Sequence, residues 1–389
     1  MSALLPTYKQ ADLAFEKGEG AYLYATDGRR YLDFATGIAV NALGHSHPKL
    51  VAALAEQGAK LWHCSNLYRI PGQERLAERL VANSFADYAF FCNSGAEAVE
   101  CGIKMIRKYH DDTGHPERYR IICCTNGFHG RTMATISAGG QEKHVKGFDP
   151  LLDGFDHVAF GNLNELRAAI GPTTAGILVE PVQGEGGIVI ADKQYFQGLR
   201  AAADEFGLLL CFDEVQTGMG RTGHLFAHEW LGMTPDIMAL AKGLGGGFPV
   251  GACLARKSAA VGMTPGAHGS TFGGNPLAMA VANAVLDVML EDGFLDRVVT
   301  TGKALQTRLQ QIAARFPKVI AKVRGLGLMI GIECAVPNTE LQAKLREKGL
   351  LTAVAGGNVI RILPPLIVGE AEVREACAII EGACAAFAA

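Results

Sequence analysis

Between Tyr88 and Ala255 the chain repeats one pattern: a short apolar run, a polar or glycine-rich break, then a stretch of helical periodicity. The apolar runs are "YAFFCN", "RIICCTN", "AGILVEPV", "LLLCFDEV", "IMALAK" and "GACLA", and the helical stretches include "GAEAVECGIKMIRKYH" and "KQYFQGLRAAADEFG". Runs this short and this uniformly apolar suit strands covered on both faces. Their alternation with helices supplies the crossovers that parallel strands need, so an α/β domain with a largely parallel sheet is predicted.

The flanks read differently. Near the start, "AYLYATDGRRYLDF" alternates aromatic and polar residues around Asp27-Gly28, a β-hairpin signal. After "GHSHP" comes an amphipathic helix, "KLVAALAEQGAKL". Around residue 275 a long helix begins, with Asn275 as its cap and Pro276 at its first position. Beyond it, "VIAKVRGLGLMIGIEC" and "NVIRILPPLIV" read as strands and "EAEVREACAIIEGACAAFA" as a closing helix. The division expected is a large α/β domain over 46–290, a small α+β domain over 291–389, and an N-terminal segment, 1–45, that joins the small domain.

Bulk properties narrow the partners. A net charge of -3 over 389 residues, without a dense Lys/Arg run, offers nucleic acid or an anionic membrane no broad attraction. No run is long and apolar enough to span a bilayer, and the N-terminus does not read as a signal peptide, so a cytosolic protein is expected. The 10 cysteines are scattered with no C-x-x-C spacing, and read as buried reduced thiols rather than disulfides or metal ligands.

Three segments carry chemistry. In "FFCNSGAEAVECG" a strand gives way to a helix at Ser94, an N-cap with Glu97 three residues on; Gly95 lets the backbone turn tightly. Such a helix start suits a phosphate, though on this motif alone a well-capped structural helix is the favoured reading. In "LLLCFDEVQTGMGRTG" the apolar run ends at Asp213, an acid at a strand's carboxyl end, where open α/β sheets bind ligands. Buried there it needs a cationic or hydrogen-bonding partner, which a protonated pyridine nitrogen or an ordinary ion pair would supply. In "MALAKGLGGGFPVG" Lys242 is the one charge in an apolar, glycine-rich run. A buried ammonium must be paired, modified or shifted in pKa, and a carbonyl partner would make it chemically useful. Together the three meet the needs of pyridoxal 5'-phosphate (PLP): an amine for the aldehyde, an acid for the ring nitrogen, a helix terminus for the phosphate.

From "YLDFATGIAVNALGHSHP" through "NSGAEAVE", "FHGRT", "VEPVQGEGG", "FDEVQTGMGRTG", "ALAKGLGGGFPVGA" and "GSTFGGNP" to "VIRILPPL", the chain closely resembles the class III aminotransferases of PLP fold type I, and among them those acting on acylated ornithine. The resemblance implies that Lys242 bonds the cofactor and then shuttles the proton of transamination, while Asp213 keeps the ring nitrogen protonated. Gln216 would reach the ring's phenolic oxygen, Phe128 would stack on the ring, and Gly95 and Ala96, capped by Ser94, would bind the phosphate. Thr271 would reach the phosphate of a second subunit, making a homodimer with shared sites, and Ser270 beside it would line the substrate site. Arg361 would bind the α-carboxylate and Arg131 the other carboxylate of 2-oxoglutarate. Glu185 would mask Arg361 while N-acetylornithine reacts at its terminal amine, then swing away for 2-oxoglutarate. Related ornithine δ-aminotransferases carry a tyrosine in the stretch matching "ATGIAV"; Ile38 stands there and favours an acylated amine.

Other classes find less support. "GLGLMIG" lacks the G-x-G-x-x-G spacing of a dinucleotide-binding turn. His45 and His47 have no accompanying ligand cluster and read as turn chemistry, and no G-x-S-x-G is present for a serine hydrolase. A non-catalytic protein of the same fold would be expected to lose the lysine.

Overall fold

The computed structural model describes residues 3–388. Its central sheet runs in the order Tyr88–Cys92, Gly251–Ala255, Ile237–Leu240, Leu209–Asp213, Thr174–Val179, Arg120–Cys124, Phe155–Val158. Gly251–Ala255 is antiparallel to both its neighbours, and the remaining pairs are parallel. The central strands Thr174–Val179 and Leu209–Asp213 are buried along their whole length. Helix Gly95–Asp112 covers one face through Val99, Ile103 and Ile106, and helix Lys193–Phe206 covers the other through Phe196 and Leu199. That two-sided cover explains why the strands read as continuous apolar runs.

Phe155–Val158 was not among the strands read from the sequence. Only four residues long, it carries Asp156 and His157 at an edge, so it lacks the apolar signature. The reading of "NVIRILPPLIV" as strand holds only for Val359–Ile362; Pro364 and Pro365 have no N–H to continue a ladder. Asn275 caps helix Pro276–Met289, accepting the Ala278 amide at 2.8 Å. The hairpin Tyr22–Ala25/Arg30–Asp33 turns at Gly28, whose φ of 84° lies in the left-handed region. All cysteines are free thiols, and all but Cys64 are buried.

Two smaller sheets complete the fold. Strand Arg30–Asp33 pairs in parallel with Leu350–Leu351, so the N-terminal hairpin docks onto the C-terminal part of the chain. Ile320–Leu326, Met329–Cys334, Val359–Ile362 and Ala353–Ala355 form an antiparallel sheet, backed by helices Phe294–Arg315 and Glu370–Ala388. One hydrophobic core runs from Leu240 and Val285 of the large sheet's surroundings to Ile330, Ile362 and Ile380, so these layers are packed as one body.

Helix Phe294–Arg315 seats against the turn at Gly327 through Gly302. A Cβ on Gly302 would lie 2.3 Å from the Gly327 carbonyl oxygen, a backbone atom that cannot rotate away. Alanine would gain about 1 kcal/mol of helix propensity there, against an overpacking cost of about 1–3 kcal/mol. Gly302→Ala is therefore expected to lower the unfolding free energy, measured by urea denaturation; a more stable variant would mean that the helix can shift off the turn.

Candidate active site

Five chain segments leave the large sheet at its carboxyl edge and converge on one cleft of about 300 Å3. They follow Cys92, Cys124, Val179, Phe212 and Leu240, bringing Ser94–Ala96, Phe128–Gly130, Glu180, Asp213 and Lys242 together. The polar groups sit where the ladder ends, because the central strands are covered on both faces along their length.

At the first segment Ser94 caps helix Gly95–Asp112, its Oγ accepting the Glu97 amide at 3.2 Å. The capping box is altered: the Glu97 carboxylate accepts the Asn93 amide at 3.0 Å and the Ser94 hydroxyl at 2.9 Å. The amides of Gly95 and Ala96 lie in the first turn, without an intrahelical partner, and line the cleft. A Cβ on Gly95 would stand 2.7 Å from Val215 Cγ1, so glycine alone admits the segment that follows Asp213.

Asp213 is buried and held from two sides. Its Oδ1 accepts the Val215 amide at 3.0 Å, and its Oδ2 accepts His129 Nδ1–H at 2.8 Å. His129 Nε2 and Gln216 Oε1 are buried without partners. Burial opposes charge on His129, but the hydrogen bond to Asp213 and the nearby carboxylates outweigh it and raise the pKa. Behind them Glu180, accepting the amides of Phe128 at 2.9 Å and Gly184 at 3.2 Å, is pushed up to about 7, chiefly by burial. Sequence reasoning missed His129 and Glu180; each follows closely on a strand's carboxyl end, the signal that picked out Asp213.

Lys242 follows Ala241 with φ of 44°, a left-handed conformation that non-glycine residues adopt only when the surroundings impose it. Its Nζ makes no hydrogen bond or ion pair among the described residues. Burial first, and then the Arg361 charge, lower its pKa, against the pull of Glu185, Asp213 and Glu180. Arg361, on strand Val359–Ile362, is buried; it donates from Nη1 to Glu185 Oε1 at 2.5 Å and from Nη2 to the Val354 carbonyl at 3.0 Å. The ion pair expected of Glu185 and Arg361 is thus formed.

The remaining candidates lie farther out. Phe128 lines the cleft, its ring T-shaped to that of His144 and with Arg131 above it, 5.6 Å from the centroid. Arg131 is exposed and forms no ion pair among the described residues. Ser270 accepts the amides of Gly273 at 2.9 Å and of the Asn93 side chain at 3.3 Å, while Thr271 is exposed and does not line its own chain's cleft. Ile38 belongs to the left-handed turn Thr36–Ala39, which leads into the cleft-lining Val40. Asp33 braces that turn by accepting the Thr36 amide and pairing with His45 at 2.8 Å, a structural role for that histidine.

An unpartnered amine, a carboxylate fixed by two donors, two free helix-terminal amides and a flanking aromatic ring fit PLP: the aldehyde, ring nitrogen, phosphate and ring face each find a complement.

Comparison with known proteins agrees with this chemistry. The model of the family described as Aminotransferase class-III matches residues 5–384. The acetylornithine aminotransferase of Mesorhizobium japonicum is 61% identical over 375 residues, covering 96% of this chain and 94% of that protein. The acetylornithine aminotransferase of Agrobacterium fabrum is 56% identical, covering 99% and 97%. Among solved structures, N-acetylornithine aminotransferase from Stenotrophomonas maltophilia K279a is 38% identical with a TM-score of 0.86, covering 98% of both chains. Ornithine aminotransferase from Toxoplasma gondii ME49 is 31% identical with a TM-score of 0.95, covering 99% of this chain and 93% of that one.

An unpaired amine held at low pKa destabilises the empty protein. Below the ordinary lysine pKa the unfolded chain binds a proton that the folded chain resists, so this cost falls as pH rises and vanishes once the amine is neutral in both states. Lys242→Met is expected to stabilise the cofactor-free chain by about 1 kcal/mol at neutral pH, with the gain fading toward alkaline pH. Thermal unfolding across that range tests it; a destabilised variant would mean that the amine has a partner.

Proposed function

The chain belongs to the class-III aminotransferases, and from that premise we infer that it transfers the terminal (δ) amino group of N2-acetyl-L-ornithine to 2-oxoglutarate, giving N-acetyl-L-glutamate 5-semialdehyde and L-glutamate. It is a PLP-dependent enzyme. When bound, PLP supplies an aldehyde for the amine and a ring that accepts the electron pair of a broken C–H bond.

The residues of the chain do the rest. The Lys242 amine, its pKa lowered by burial and by Arg361, would take the proton from the carbon bearing the reacting amine and return it on the far side of the transferred nitrogen. Asp213, held by Val215 and His129, would pair with the ring nitrogen. Gly95 and Ala96, with Ser94 as cap, would hold the phosphate; Phe128 would cover a ring face and Gln216 would reach the ring's phenolic oxygen.

The observation that carries the choice of amine is the Arg361–Glu185 pair beside Lys242. An α-amino acid reacting at its α-amine needs Arg361 free for its carboxylate. A terminal amine does not, and with the pair closed the cleft admits it preferentially. For 2-oxoglutarate Glu185 swings off, Arg361 takes the α-carboxylate and Arg131 the other, while Ser270 and Ile38 border the substrate. Ile38 offers an apolar contact that suits an acylated nitrogen better than an ammonium. The 56–61% identity to acetylornithine aminotransferases supports that substrate over free ornithine. The fold does not decide for the acylated substrate, since the ornithine enzyme superposes more closely than the acetylornithine one.

The active form is a cytoplasmic homodimer in this reading. Thr271 is exposed on its own chain, among solvent-facing apolar groups such as Leu67 and Phe272 (87% and 61% exposed), which a second copy would cover while Thr271 reaches its phosphate site.

With PLP bound, kcat/KM for acetylornithine is expected to exceed that for ornithine by at least ~10-fold, and Ile38→Tyr to narrow the gap. A wild-type preference for ornithine in that substrate panel would overturn the assignment. Sedimentation at micromolar protein is expected to give the mass of a dimer; a catalytically active monomer would remove Thr271 from the phosphate site.

A further inference from the structure

Glu185 can act as a switch only if its carboxylate leaves Arg361 while the loop beneath it stays put. That loop is the turn of the short hairpin Val182–Gln183/Val189–Ile190, whose strands hold its ends while its middle is rich in glycine. It contains Gly184, Gly186 and Gly187, and ends at Ile188, whose φ of 54° is an outlier for a β-branched residue. Something must hold it.

The strand register shows what does. Arg324 lies opposite Gly331, and Gly331 lies opposite Arg361, so the two arginines flank Gly331 in one cross-strand row and share a face of the sheet. Over the gap sits Ile188: a Cβ on Gly331 would come within 3.0 Å of the Ile188 Cβ. On one side of the gap Arg361 grips the Glu185 carboxylate. On the other, Arg324 grips backbone, its Nη2 donating to the Gly187 carbonyl at 2.8 Å and its Nε to the Gly187 and Ile188 carbonyls at 3.1 and 3.0 Å. Glu333, paired with Arg324 Nη1, keeps the guanidinium in place. The front of the loop is tied too, through the Gly184 amide on Glu180 and the Gly356 amide on the Glu185 carbonyl.

We propose that Arg324 is the positioning residue of the Glu185 switch: it pins the 187–188 backbone, so that Glu185 releases Arg361 by side-chain rotation and returns to the same place. This rests on the switch reading above. Arg361 and Arg324 thus divide the work, one holding a carboxylate that must let go and the other holding carbonyls that must not. Without Arg324 the loop drifts, the mask sits loosely, and ligands that need a free Arg361 gain at the expense of those that do not.

The test is a double-mutant cycle on the PLP-loaded dimer with Arg324→Gln, Glu185→Gln and both together. Two quantities are read: the Kd of glutarate, an unreactive dicarboxylate, by calorimetry, and the ratio of kcat/KM for acetylornithine to that for glutamate as donors. Arg324→Gln is expected to tighten glutarate and shrink the ratio by about threefold to tenfold. Arg324→Lys should recover part of both, and in the Glu185→Gln background Arg324→Gln should add nothing. The same shift in both backgrounds, or no shift in a folded Arg324→Gln protein, would overturn the proposal while leaving the switch intact. Glu185→Gln without effect on either quantity would instead remove the switch, and Arg324's role with it. Should Arg324→Gln fail to fold, Glu333→Gln, which loosens the same guanidinium from a half-exposed position, carries the same expectation with a smaller factor.

Discussion

A strand buried on both faces can present polar groups only where it ends. The central strands of this sheet are covered above and below by helices, so each crossover begins at the same edge, and each contributes what its first few residues hold. The helix-terminal amides, the His129–Asp213 pair, Glu180 and Lys242 are neighbours for that reason alone. They come from segments up to about 150 residues apart in the chain, and no local preference draws them together.

Concentrating charge at such an edge creates a balance that the surrounding backbone must enforce. Lys242, Arg361, His129, Asp213, Glu180 and Glu185 lie within one partly dry region, where an unpaired charge is expensive. Arg361 is offset by Glu185, Asp213 by His129 and Glu180 by backbone amides, while the Lys242 amine has no partner among the described residues. Burial and the Arg361 charge then push its pKa down, which is what a proton carrier at neutral pH requires. The strained backbone at Lys242 is tolerated for the same reason: a rigid frame holds the amine where the chemistry needs it.

Much of this was legible in the chain itself, and the exceptions have physical causes. Ser94 reads as a cap and Asn275 as another because capping is decided within one helical turn. The apolar runs announce their strands, except Phe155–Val158, an edge strand whose polar residues carry no burial signature. His129 and Glu180 carry only the weak local signal of following a strand's carboxyl end; their importance comes from each other and from Asp213, across strand ends. Arg324 is the extreme case. Its meaning depends on a cross-strand row through Gly331 and on the carbonyls of a loop more than 130 residues earlier in the chain.

The sequence by itself determined most of the elements, the caps, the family and the identity of the chemical groups, because periodicity, capping and motif order are written in consecutive residues. Only the tertiary structure decided which groups face one another: that Asp213 leans on His129, that Glu185 closes on Arg361, and that Lys242 is left unpaired. Those pairings follow from strand order and register, which are set by how the whole core packs and not by any stretch of chain short enough to read alone.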